Sequence, residues 1–351
     1  MNKNPTIKRL LNELSKKYQE DEGWFFCDRL QESGAVQEEF SNHLDAFYFG
    51  RNFIHVAFEI LAHFSFERSI YAILSLKDKD RFIEECNRAS TYGYAMLTLG
   101  SKSCKCFKGR GSVPMHRTTI HFALNILTSE WKNAKEIGDR LISSVNAENC
   151  IIQRGDIEAY SSWFILKLYS IVVDKEINTK RALYPKENFT PYDTILENWD
   201  SIDMDEIDTY VTLLSNTHLS SAHIPMTEAN EEKKRYKLEL SHIQLLPYEI
   251  LIWLKLRELK GLKNPKTFTH PLMNTPIAKM FLNIKEPLPY PQELPYAKEL
   301  LEKLKEQCPD VEIPEWLKGG ESDGLDRKEA EINKQNNAKG DDIIPDDFFA
   351  K

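Results

Sequence analysis

The sequence has little of what marks several large classes of protein. It contains 14 Gly and 16 Pro among 351 residues, too few for a fibrous or collagen-like chain. No stretch approaches 18 apolar residues without a charge, so no membrane-spanning helix is predicted. The first residues also lack the continuous apolar run of a secretory signal peptide. We therefore predict a cytoplasmic protein with no membrane partner.

Cysteine and enzyme motifs are also scarce. Six cysteines in a chain of this length are too few and too scattered for a disulfide framework, which indicates a reducing compartment. The sequence has no phosphate-binding loop, no dinucleotide-binding glycine motif, no nucleophile elbow and no HExxH zinc motif. These absences favour a binding protein over an enzyme, and we predict no cofactor and no metal.

Apolar residues recur at helical spacing almost throughout the chain. No pair of alternating runs is joined by Asn-Gly or Asp-Gly, so hairpins have little support. We therefore predict an all-α fold, either an irregular multi-helix bundle or a solenoid-like array, in two packed helical regions. The periodic segments are Ile7–Tyr18, Phe53–Phe64, Ile70–Leu76, Phe82–Leu99, Ile120–Leu127, Trp131–Ile142, Trp163–Val173, Ile207–Leu214, Tyr236–Leu246, Ile250–Leu262 and Ala297–Leu304.

Three segments interrupt this helical pattern. Residues 100–116 are rich in Gly, Ser and Lys and predict a basic loop within an N-terminal helical region, residues 1–186. Two prolines in residues 184–194 favour a boundary there, followed by a C-terminal helical region over residues 187–317. Residues 284–296 hold four prolines and predict an extended surface segment. The composition of residues 318–351 predicts a mobile tail.

Four polar residues recur every fourth position in an otherwise apolar stretch: Arg51, His55, Glu59 and His63. This spacing places them on one face of a helix. They fit the solvent-facing stripe of a mostly buried helix, with Glu59 bonded to one or both histidines, and the alternatives are a polar pocket or a partner-contact site. A metal site is less favoured because bundle di-metal sites need a Glu-x-x-His motif on a facing helix, and the sequence supplies none.

The predicted basic loop carries two further patterns. Cys104, Cys106, His116 and His121 are zinc-ligand types, but a one-residue spacer between the thiols suits a zinc knuckle poorly. Arg110 and His116 resemble the Arg-x₄₋₆-His motif of the helical HEPN ribonucleases. A glycine and a proline between them break the helix that this motif needs. A plain loop with free thiols therefore remains the main interpretation.

The net charge of −8 is unevenly distributed. Residues 187–232 contain 11 acidic residues and no Lys or Arg, so the rest of the chain carries +3. The overall acidity predicts no direct nucleic-acid binding. The acidic residues are densest in ENWDSIDMDEIDTY, residues 197–210, and residues 193–208, the predicted contact, are named here the acidic segment. Asp203 or Asp205 can cap a helix that starts there, where the helix dipole favours negative charge.

The acidic segment has two interpretations. It can be a purely solvated face, or it can be a docking surface for a basic protein, because a dense patch of one sign steers association. Aromatic residues beside carboxylates suit a binding hot spot. The predicted contact residues are Glu197, Trp199, Asp200, Asp203, Asp205, Glu206, Asp208 and Tyr210.

The chain resembles the all-helical immunity proteins of bacterial polymorphic toxin and type VI secretion systems. The resemblance rests on the acidic helical segment ENWDSIDMDEIDTYVTLL and on the runs LPYEILIWLKLRELKGL and THPLMNTPIAKMFL, in an acidic chain without enzyme motifs. It extends over residues 1–317 and implies stoichiometric binding to a cognate toxin, with the toxin's basic active site blocked. A nuclease is the class of toxin that it implies.

Two alternatives stay open. One is a helical adaptor or regulatory scaffold whose partner is not a toxin. The other is an enzyme, either metal-dependent through His55, Glu59 and His63 or ribonuclease-like through Arg110 and His116.

Overall fold

The computed structural model describes residues 7, 54–106, 115–146, 160–178, 189–222, 245–291, 293–307, 309, 311–314 and 317. These residues form ten α-helices and no strand, which confirms the all-α prediction for the described part of the chain. The helices are α1 (Ile54–Tyr71), α2 (Lys79–Cys106), α3 (Met115–Leu127), α4 (Trp131–Asn146), α5 (Tyr160–Val172), α6 (Tyr192–Glu197), α7 (Met204–Ala222), α8 (Tyr248–Leu259), α9 (Pro276–Asn283) and α10 (Ala297–Gln307). A π-helical turn (Ala72–Leu76) follows α1, and a 3₁₀ turn (Pro271–Asn274) precedes α9.

Two helices form the centre of the molecule. Almost all side chains of α5 and α8 are buried, so neither helix has a broad solvent-facing side. A helix of this kind is stable only when other elements surround it. Helices α3, α4 and α6 pack around α5, while α3, α7 and α9 pack around α8, and the two central helices contact each other.

One main hydrophobic core joins both predicted helical regions. It contains side chains from both sides of position 187, among them the fully buried Trp163 of α5 and Trp253 of α8. Phe189 and Tyr192, which lie in the predicted boundary stretch, are buried in the same core. In a solenoid each repeat contacts only its neighbours, whereas α8 packs on α3, far away in the sequence. The described helices therefore form an irregular bundle.

A second, smaller core lies between α1, α2 and α10. Its members include Phe58 of α1, Met96 of α2 and Leu300 of α10. In α10 the buried positions 297, 300, 301 and 304 follow the spacing of one helix face, as the sequence predicts. Helix α2 contributes to both cores, so the two cores share a continuous helix.

The segment of residues 284–296, named here the strap, connects α9 to α10. It contains no helix, and half of its described residues are exposed and only two are buried, in agreement with the predicted extended surface segment. Three donors of α2 hold the strap through its main-chain carbonyl oxygens. They are Asn87 Nδ2 to Pro289 O, Arg88 Nε to Glu293 O (3.1 Å) and Tyr92 Oη to Pro295 O (2.6 Å).

The predicted loop over residues 100–116 is wrong at both ends. Helix α2 continues through Cys106, and α3 already begins at Met115. A single glycine, Gly100, costs a helix only about 1 kcal/mol relative to alanine, so it does not end a helix this long. The intervening residues 107–114, with Arg110, lie outside the described residues.

Several other predictions fall outside the described part of the chain. In the segment Ile7–Tyr18 only Ile7 is described, and it is helical and buried. The other predictions outside the described residues concern Arg51, most of Tyr236–Leu246 and the whole tail 318–351.

Candidate binding surface around the acidic segment

The acidic segment spans α6, a turn and the start of α7. The turn, residues 198–203, is named here the anchor turn. Helix α6 buries Ile195 and Leu196, and α7 buries Ile207 and Val211 against the main core. Apolar side chains therefore fix one side of the acidic segment to the bundle, and the acidic residues occupy the other side.

A buried arginine of α8 holds the anchor turn. Arg257 is 0% exposed, and its guanidinium donates to Trp199 O (2.6 Å) and to Ser201 O (2.7 Å). It also donates to Asn264 Oδ1 (2.9 Å) and Lys263 O (2.9 Å) of the following loop. Burial of a guanidinium is costly unless it is hydrogen-bonded, and these four bonds use four of its five N–H donors and give each of its three nitrogens a partner. Arg257 therefore acts as a positioning residue for the turn.

Tryptophan contacts reinforce this arrangement. Trp253 Nε1 donates to Trp199 O (3.0 Å), the carbonyl that Arg257 also holds. The guanidinium carbon of Arg257 lies 5.7 Å from the centroid of the Trp253 ring. Burial lowers the pKa of Arg257, and the negative charge of Asp200 opposes that shift. The anchor turn thus rests on a cation–π pair and on main-chain hydrogen bonds.

The two predicted aromatic contact residues are half-buried. Trp199 and Tyr210 both pack against the main core. The Tyr210 ring centroid lies 6.3 Å from that of Trp253, and its hydroxyl donates to Glu206 Oε1 (2.8 Å). This hydrogen bond raises the pKa of Tyr210. Both rings therefore help to pack the acidic segment against the main core.

Three of the predicted acidic contact residues have structural partners. Asp203 Oδ1 accepts from the backbone N–H groups of Asp205 (2.9 Å) and Glu206 (3.3 Å), which confirms the predicted cap of α7. Glu206 accepts from Ser201 Oγ as well as from Tyr210. Asp208 Oδ1 accepts from the backbone N–H of Thr269 (2.9 Å), which ties α7 to the loop before the 3₁₀ turn.

The other three predicted acidic residues point to solvent. The carboxylates of Glu197, Asp200 and Asp205 are exposed and make no side-chain hydrogen bond or ion pair with the described residues. Asp200 lies within the anchor turn, Glu197 directly before it, and Asp205 two residues after it. Three negative charges are thus available to a partner on a backbone that is already fixed.

Apolar side chains share this surface. Ile202, at the tip of the anchor turn, is 82% exposed, and Met204 is 37% exposed. The same surface therefore carries carboxylates and unburied aliphatic side chains.

The predicted polar stripe lies on α1. Its helix is confirmed from Ile54 onward, whereas Arg51 and the side chain of His55 lie outside the described residues. Glu59 and His63 are half-buried. His63 Nε2 lies 3.7 Å from Glu67 Oε1, one turn further along the helix.

The predicted zinc ligands are only partly described. The side chains of Cys104, Cys106 and His116 lie outside the described residues, and His116 is the second residue of α3. His121 is buried against α2, where a Cβ atom at Gly93 would lie 2.4 Å from its Nδ1. Within the described part of the chain, no group of three or more His, Cys, Asp or Glu side chains could hold a metal ion.

Three buried charged residues of α8 were not predicted from the sequence: Glu249, Lys255 and Arg257. Glu249 Oε1 lies 2.7 Å from Nδ1 of the buried His218 of α7, and Lys255 Nζ donates to Ser129 Oγ (3.2 Å). A signal existed for the two cations. Lys255 and Arg257 lie in an otherwise apolar run but point about 200° apart around a helix, so they cannot share one narrow solvent-facing stripe.

None of the helices in the described ranges is long and apolar enough to cross a membrane. No protein family matches the chain, and neither a curated protein nor a solved structure is significantly similar to it.

Proposed function

We propose that this chain is a cytoplasmic immunity protein, which binds a cognate bacterial toxin and neutralises it by covering a basic active site. One observation carries the proposal: the exposed residues Glu197, Asp200 and Asp205 lie in or next to a turn whose backbone is held by the buried Arg257. The protein performs no chemistry on the toxin, and its effect depends on occupancy alone.

Electrostatics supports this function. Toxins that act on nucleic acids bind phosphates with Lys and Arg, so an acidic surface is complementary to their active sites. A patch of one sign accelerates encounter with an oppositely charged partner, and this effect weakens as salt screens the charges beyond about 10 Å at 0.1 M.

Pre-organisation supports it as well. A surface loop that becomes ordered on binding loses conformational entropy, and this loss weakens the complex. The anchor turn avoids most of that loss because the carbonyls of Trp199 and Ser201 are held before a partner arrives. The same surface can therefore bind tightly and still associate rapidly.

A growth-protection assay tests the proposal. The chain is co-expressed in a bacterial host with a candidate toxin encoded beside its gene, and the association rate of the two purified proteins is measured at low and high salt. We expect the triple variant E197Q/D200N/D205N to lose protection and to associate about tenfold or more slowly at low salt, because the steering charges are gone.

The matched control is the triple variant E299Q/E302Q/E306Q on α10. It also removes three negative charges, but from exposed positions outside the acidic segment. We expect it to protect like the parent protein. If the two triple variants protect equally well, the acidic segment is not the toxin-binding surface.

A further inference from the structure

Ile202 stands out among the apolar side chains of the surface. Five large apolar residues are exposed within the described part of the chain, and Ile202 is the most exposed of them at 82%. Met204, also exposed, lies two residues away. Ile202 belongs to the anchor turn and Met204 follows it directly. The most exposed large apolar side chain therefore lies on the turn whose carbonyls are bound by Arg257.

The backbone on both sides of Ile202 is fixed. Before it, Ser201 O accepts from Arg257. After it, the N–H of Asp203 donates to Ser201 Oγ (3.2 Å), and Asp203 caps α7. Hydrogen bonds therefore hold the backbone on both sides of Ile202, while its side chain is left uncovered by the described residues.

A single exposed apolar residue is common on protein surfaces and needs no explanation by itself. The residues next to Ile202 in the chain give its exposure a meaning. Asp200 lies two residues before Ile202 and Asp205 three residues after it, both are exposed, and the exposed Met204 lies between Ile202 and Asp205 in the chain. An apolar anchor surrounded by polar groups is the arrangement of a binding hot spot, in which the rim excludes water from the centre.

The charges decide what can cover this anchor. A second copy of the chain would bring its own carboxylates against Asp200 and Asp205, and a nucleic acid or an anionic membrane would bring phosphates. A basic protein surface has the opposite sign.

We infer that Ile202 is the central anchor of the interface and that the partner presents an apolar pocket rimmed by Lys or Arg side chains. This inference rests on the proposed function and specifies the partner's surface. It predicts that charge alone does not account for binding, because the apolar anchor contributes separately.

Two synthetic peptides of equal charge test the inference, Arg-Lys-Leu-Lys-Arg and Arg-Lys-Gly-Lys-Arg. Each is titrated into the full chain carrying ¹³C-labelled isoleucine methyl groups, and the Ile202 signal is assigned by its loss in I202A. We expect the leucine peptide to shift the Ile202 methyl signal and to bind at least about fivefold more tightly than the glycine peptide, because an aliphatic side chain is buried.

Two variants separate the anchor from the charges. In I202A we expect the two peptides to bind equally, with binding to both followed through backbone amide signals of the acidic segment. In L213A, which truncates another exposed apolar residue on α7, we expect the preference for leucine to remain. Equal binding of the two peptides by the parent protein, no binding of either, or an unchanged preference in I202A would each overturn the inference.

The outcomes distinguish this inference from the proposed function. If both peptides bind equally and D200N/D205N weakens both, the acidic surface stands and the anchor fails. If the preference for leucine stands but the chain does not protect against the toxin, the anchor stands and the immunity function fails.

Discussion

Replacement of Arg257 by methionine should loosen the acidic segment and destabilise the protein. Methionine keeps most of the aliphatic stem but removes all four hydrogen bonds of the guanidinium. Breaking a buried charged network costs roughly 3–5 kcal/mol. The Trp199 carbonyl keeps its hydrogen bond from Trp253, and part of the turn can be rehydrated. We therefore expect the free energy of unfolding to fall by about 3 kcal/mol.

Urea unfolding followed by far-ultraviolet circular dichroism measures this loss, and amide hydrogen exchange locates it. We expect faster exchange at residues 199–206 in R257M than in the parent protein. R257K should recover only part of the stability, since an ammonium group cannot reach four acceptors in the fork geometry of a guanidinium. The exposed Lys266 lies in the neighbouring loop, and K266M should change stability by less than about 0.5 kcal/mol. Unchanged stability and unchanged exchange in R257M would refute the positioning role.

Two further substitutions test other parts of the bundle. A Cβ atom at Gly138 would lie 2.4 Å from Tyr169 Cε1, so G138A should cost about 1–3 kcal/mol of unfolding free energy in the same urea assay, whereas S143A at an exposed site of α4 should be neutral. Burial raises the pKa of Glu130 to about 7, so ionisation disfavours the folded state and the parent protein should lose stability as the pH rises from about 4.5 to 7. E130Q should remove that slope and be more stable at pH 8 by about 1–2 kcal/mol, and an equal slope in both proteins would contradict the assignment.

The long helices were located from the sequence because each buries an apolar face of several turns. Not all of their ends were predicted: α1 runs without a break where two segments were expected, and α7 extends beyond Ile207–Leu214 at both ends. The segments Trp131–Ile142 and Trp163–Val173 correspond to α4 and α5. The short helices α6 and α9 were not predicted, since six to eight residues contain too few turns for a period to show. Helix α9 depends on a local cap, with the Thr275 side chain accepting from the N–H of Ala278.

The candidate surface was predicted in position but not in detail. Charge counting located the acidic segment, and the capping role of Asp203 follows from local chemistry. The division between acidic residues with structural partners and acidic residues that face solvent depends on tertiary contacts, as between Asp208 and Thr269, 61 positions apart. The same is true of Arg257, whose partner Trp199 lies 58 positions earlier. Periodicity reports which side of a helix is buried, but it does not report which distant carbonyl a buried cation will meet.

The way in which α2 holds the strap has a consequence for how this protein tolerates mutation. Proline has no N–H, so the four prolines leave the strap with more main-chain acceptors than donors, and Asn87, Arg88 and Tyr92 donate to three of those acceptors. A main-chain oxygen accepts in the same way whatever side chain its residue carries. Apart from Lys285, which pairs with Glu258, substitutions at the exposed positions of the strap should therefore leave its path unchanged, whereas substitutions of the three donors of α2 should not.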